Sequence, residues 1–96
     1  MQKIIKDIEE ISCIVGGNKA ITIIYKDLSI KTLAISLKVV EEQLCQSYFE
    51  KINYHAIINT KHLSLVESKR TILLKNGVRF KVSRKKWDLF KLIGKR

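Results

Sequence analysis

Short runs in which apolar residues recur at every second position dominate the chain, interrupted by two stretches in which they recur every third or fourth. Residues 4–15 (IIKDIEEISCIV) fit both periods: Ile4, Ile8 and Ile11 suit a helix, while Ile11 to Val15 reads as a strand entering a turn. Gly16-Gly17-Asn18 is that turn, with the strongest left-handed backbone chemistry in the sequence. Residues 20–25 (AITIIY) read as the returning strand, Asp27 marks a further turn, and 29–33 reads as a third strand. Ser36 is placed to cap a short helix over 37–45. There Leu37, Val40 and Leu44 fall at i, i+3 and i+7, and Lys38, Glu41 and Glu42 take the wet face. Strand-like segments follow at 48–53, 55–58, 62–67 and 71–74, and Asn76-Gly77 supplies a tight hairpin turn into 78–82. A closing helix over 84–93, with Ser83 as its N-cap, spaces Trp87, Phe90 and Ile93 by three. This order predicts a mostly β domain (β-rich α+β) with two short helices, one near the middle and one at the C-terminus.

The remaining features bound the organisation. With 96 residues, no proline, no repeat and no low-complexity tract, the sequence reads as a single domain over 1–96 with one modest core. No apolar run approaches the ~18 residues of a membrane span, and no signal-peptide pattern opens the chain. The expectation is a cytoplasmic protein, or a soluble fragment of a larger one. Cys13 and Cys45 both sit in apolar segments and read as buried, reduced thiols.

Charge changes the picture more than composition does. The net charge is +10, and residues 1–48 hold six Lys against six acids. Residues 49–96 hold thirteen Lys or Arg against Glu50, Glu67 and Asp88, so the whole excess lies in the second half. Such segregation points to a polyanion partner, because a merely soluble surface does not require it.

Catalysis finds no support: there is no nucleophile elbow, no phosphate-cradling glycine loop, and no carboxylate pair on an apolar-lined segment. His55 and His62 lie seven apart without a cysteine or histidine partner at metal-ligand spacing, so no metal, cofactor or small-molecule substrate is expected. The basic cluster is more informative. Arg79, Lys81, Arg84, Lys85 and Lys86 fall within eight residues, and charge on an edge strand accounts only for the first two. Three cations in the first turn of a helix are locally unfavourable, because the helix N-terminus is itself positive. They fit a place where a phosphate binds the free backbone N–H groups and flanking cations. The segment KINYH adds a second candidate, gathering Lys51, Asn53, Tyr54 and His55 in a polar break suited to base edges and phosphates.

With these motifs in place the sequence resembles the LytTR DNA-binding domain of bacterial transcription regulators, over about residues 8–93. FEKINYHAIIN (Phe49 to Asn59) resembles that family's phenylalanine–x–Arg–Ile–His–Arg–Ser–aromatic–x–x–Asn signature, the helix SLKVVEEQL stands just upstream, and LKNGVRFKVSRKKWDLF resembles its closing hairpin. The resemblance implies an elongated β-sheet fold whose loops enter successive major grooves of double-stranded DNA. It places Asn18, Tyr54 and Arg84 at base-reading positions. Lys19, Lys51, Asn53, His55, Lys61, Lys81, Lys85 and Lys86 are the candidates for phosphate contact and positioning. Asn59 falls where the family has an asparagine that ties down the backbone. Asn53 and His55 stand where the family commonly has His and Ser, and Tyr54 where it has a basic or amide residue. A receiver domain is missing from the sequence, so the resemblance implies a free-standing regulator or an effector domain, with a second copy on a direct-repeat site as a further partner. The alternative is an RNA- or polyanion-binding module, or an interaction module that pairs with a fuller regulator. Single-strand RNA readers need exposed stacking aromatics, for which only Tyr54 and, less well, Tyr48 are placed.

Overall fold

The computed structural model describes residues 8–44 and 48–94. Cys45 and Ile4 lie outside them, as does the side chain of Ile93. The segment that fits both periods resolves into a single 3-10 turn, Ile8–Glu10, followed directly by strand β1 (Ile11–Gly16). Four successive residues of β1, Ile11 to Ile14, are buried, so it lacks the strict alternation that marks a half-buried strand, which is why the segment could also be read as a helix. β2 (Ile21–Tyr25) and β3 (Ile30–Leu33) complete the meander. Their turn is held by the Asp27 carboxylate, which accepts from the Ser29 backbone N–H at 2.9 Å and its hydroxyl at 2.6 Å. Helix α1 (Leu37–Leu44) buries Leu37, Val40 and Leu44, the i, i+3, i+7 stripe read from the sequence. Ser36 caps it, with its Oγ accepting from Val39 N–H at 3.2 Å.

β4 (Phe49–Asn53) and β5 (Ala56–Asn59) form a tight hairpin, and β5 pairs with β1, so the first sheet runs β3-β2-β1-β5-β4. A 3-10 turn, Thr60–His62, then leads out of this sheet. β6 (Leu63–Glu67), β7 (Thr71–Leu74) and β8 (Arg79–Lys81) form a second, three-stranded sheet, after which α2 spans Arg84–Gly94. Gly77 adopts φ +94° in the turn between β7 and β8, as the Asn-Gly pair predicts.

Two apolar clusters sit on opposite faces of the first sheet. Ile11, Ile14, Ile21, Ile23 and Ile57 pack under α1 with Phe49. Cys13, Ile52, Ala56 and Ile58 face the second sheet and α2, meeting Ile72, Leu74, Val82 and Phe90. The second cluster fixes one sheet to the other. A fully buried Ile such as Ile52 contributes roughly 1.5–3 kcal/mol. Phe80 and Trp87 pack at its margin. Burial pushes the Cys13 thiol up to about 12, so it stays protonated at neutral pH. Asn59, fully buried, donates from Nδ2 to the Ile11 carbonyl at 2.9 Å and accepts at Oδ1 from Lys61 N–H at 2.9 Å. It ties β5 to β1 and caps the turn that follows, the backbone role the resemblance implied.

Candidate nucleic-acid interface

The interface begins with two hydrogen bonds from one asparagine. Asn53 Oδ1 accepts from His55 N–H at 2.7 Å, which closes the two-residue turn between β4 and β5. Tyr54 is left at its tip, 84% exposed. The same side chain donates from Nδ2 to the Lys81 carbonyl at 2.8 Å, at the end of β8. Beside it Ser83 N–H donates to the Ile52 carbonyl at 2.8 Å. Asn53 therefore serves as the joint between the two sheets, holding the Tyr54 turn against the strand-to-helix corner.

On the other side of the turn, Gly16 N–H donates to the His55 carbonyl at 2.9 Å. That bond brings in the loop of residues 17–20, which carries the exposed Asn18 and Lys19. The loop is further tied down where Leu37 N–H, the first of α1, donates to the Gly17 carbonyl at 2.8 Å. The left-handed turn expected at Gly16-Gly17-Asn18 is not what forms. None of the three has a positive φ, because four residues rather than two connect the strands. Glycine at position 16 has a different cause: a Cβ there would lie 2.5 Å from the Ala20 carbonyl oxygen and 2.7 Å from Ile21 Cα.

Three segments distant in sequence thus line one edge, in the order 17–20 loop, Tyr54 turn and Ser83–Arg84 corner. At the corner a groove of about 280 Å³ is lined by Lys51, Asn53, Tyr54, Ser83, Arg84, Lys85 and Lys86. No acidic residue lines it. The first turn of α2 holds no acid either, so its positive end and its cations face the same opening. Arg84 and Lys85 are exposed. Lys86 Nζ lies 2.7 Å from Glu50 Oε2, and Lys51 Nζ lies 3.7 Å from Glu41 Oε1. Both acids lie on the far side of the two lysines, in the adjoining depression.

The structure places ten of the eleven positions named from the sequence along this one edge: Asn18, Lys19, Lys51, Asn53, Tyr54, His55, Lys81, Arg84, Lys85 and Lys86. Lys61 is the exception. It follows Asn59, at the end of β5 opposite to the Tyr54 turn, and its Nζ sits 4.1 Å from the centroid of the Tyr48 ring. The 3-10 turn that displaces the expected start of β6 places it there. Conversely, sequence reasoning passed over Lys69 and Arg70. They occupy the turn between β6 and β7, beside the corner, where Val82 N–H donates to the Arg70 carbonyl at 2.7 Å. The charge excess of residues 49–96 was the only sequence signal covering them.

This geometry of joined loops and a basic corner meets an independent comparison: the LytTr DNA-binding domain family matches residues 2–95. The chain belongs to the LytTR family. Among solved structures it is similar to the LytTr DNA-binding domain assigned to a methyl-accepting/DNA response regulator from Bacillus cereus. The TM-score is 0.71 at 22% identity, over 90% of this chain and 83% of that one. That likeness confirms the fold, two sheets and two helices included. No curated protein matches the chain. A LytTR domain is a DNA-binding domain of transcription regulators. No helix among the described residues is long and apolar enough to cross a membrane.

Proposed function

We propose that this LytTR domain binds double-stranded DNA sequence-specifically in the bacterial cytoplasm, laying its loop edge across successive major grooves to regulate transcription. The observation that carries this reading is the convergence of the 17–20 loop, the Tyr54 turn and the Arg84 corner on one edge, whose groove no acidic residue lines. Arg84 reads guanine, since its planar fork matches the O6 and N7 acceptors of the major-groove edge. Tyr54 and Asn18 reach neighbouring base edges. Lys19, Lys81, Lys85 and Lys86 engage phosphates and set the register, with Lys51 and His55 flanking them. Asn53, with both ends of its amide engaged within the protein, positions the Tyr54 turn.

Selection from random duplexes, read by sequencing, tests this directly. Enrichment of a short half-site in direct repeats supports the reading and a second copy on the site; no enrichment refutes sequence specificity. Arg84→Ala should lose about 1–3 kcal/mol of discrimination at one base pair and relax preference there. Lys85→Ala should weaken binding to all sequences alike. Equal effects of the two substitutions would contradict the division of roles.

A further inference from the structure

The turn of residues 68–70 is unusual in its backbone and in its charge. Lys69 and Arg70 are consecutive non-glycine residues with φ 60° each, a conformation that side chains of this kind seldom adopt. Hairpin turns of this type favour glycine or asparagine, so two long cationic side chains here run against backbone preference. Strain of this kind collects where a side chain has to be presented in a particular direction.

Connectivity fixes that direction. Thr71 pairs with Lys81 across β7 and β8, so the 68–70 turn lies at the end of the second sheet where β8 runs into α2. Arg70 is bound to that corner twice: its carbonyl accepts from Val82 N–H at 2.7 Å, and its Nη1 donates to the Val82 carbonyl at 3.3 Å. Ser83 and Arg84 follow at once. Lys69 is exposed next to this brace. The acid that ends β6, Glu67, is held by Arg79 Nε at 3.1 Å.

We infer that the 68–70 turn is a fourth DNA-contacting element, in which Lys69 meets a phosphate flanking the groove read from the corner while Arg70 braces the backbone that presents Arg84. The inference rests on the duplex-DNA reading above and extends its edge to the second sheet. Lys75 provides the internal control. It is an exposed lysine in the turn at the opposite end of β7, about 14 Å away along a four-residue strand.

The test is duplex titration at several salt concentrations with the full chain and its best selected site. Lys69→Gln should weaken binding about fivefold at ~0.15 M salt and reduce the slope of log K against log salt by about 0.9, as for one lost phosphate contact. Lys69→Arg should restore both, and Lys75→Gln should change neither. Lys69→Gly separates function from folding: it relieves the left-handed strain, so the melting temperature should hold or rise while DNA affinity falls. An unchanged slope in Lys69→Gln, or an equal loss in Lys75→Gln, would overturn the inference with the DNA reading intact. Failure of the unaltered chain to bind any duplex would remove both.

Discussion

Lys86 is already occupied in the DNA-free protein. Its ammonium lies 2.7 Å from Glu50, with the two side chains 41% and 28% exposed, so a phosphate arriving at the α2 corner competes with a resident carboxylate. A partly exposed pair of this kind adds only about 0–1 kcal/mol to folding, because solvent screens the attraction and both side chains lose freedom. Its effect on the proposed phosphate contact should be larger, since Glu50 both holds the lysine and would repel an incoming phosphate at short range. Glu50→Gln should therefore leave the melting temperature nearly unchanged and raise duplex affinity about three- to tenfold at fixed salt. A fall in affinity would show instead that the carboxylate orients Lys86 for its phosphate. Glu41, 3.7 Å from Lys51, is placed to act in the same sense but more weakly.

At the scale of elements, each loop of the proposed DNA edge is held from its base by backbone bonds, leaving its tip exposed. Gly16 and Gly17 are adjacent and chemically identical, yet their positions differ. A methyl group at 16 strikes the Ala20 carbonyl and the Ile21 backbone, whereas nothing lies within 4 Å of one at 17. Gly16→Ala should cost about 1–3 kcal/mol by forcing the β1–β2 loop off its path, and should displace Asn18 with it. Gly17→Ala should be neutral or stabilise by up to about 1 kcal/mol, through lost freedom in the unfolded chain. Thermal melts of the two variants check this; equal losses would mean that the loop path does not depend on the close approach at 16. The contrast also shows what the sequence could express. The elements themselves were legible because strands and the two helices announce themselves by local period, and Asn76-Gly77 by turn chemistry. Asn59 was legible because its motif surrounds it. The pairing of Asn53 with Lys81, of Lys86 with Glu50, and of Arg70 with Val82 was not, since each joins residues 12 to 36 positions apart in different elements or turns. That Lys61 stands apart from the other named positions was not legible either. Its charge is visible in the sequence, but which loops share one end of the sheet is decided by strand order.

The whole molecule measures 38 × 26 × 20 Å, and its long dimension is comparable to one turn of duplex, about 34–36 Å. Loops that are to address successive grooves, as proposed, have to be rigidly spaced, which the bridging bonds of Asn53, Gly16 and Ser83 provide. Charge follows the same plan. Of the positions at the edge, those carried by the second sheet and α2 come from the half of the chain that holds the full +10 excess, while the first half, neutral overall, adds Lys19. In the proposed interface Lys69 joins the four lysines assigned to phosphates, Lys19, Lys81, Lys85 and Lys86, to make five. Neutralising about five phosphates releases their condensed counterions, and log K should then fall against log salt with a slope of about −4.5. Lys61→Gln, at the opposite end of β5, should leave that slope unchanged although it lowers the net charge as much as Lys69→Gln does. A slope near zero would exclude the electrostatic part of the interface. Equal changes for Lys61 and Lys69 would show that overall charge, rather than the edge, governs binding.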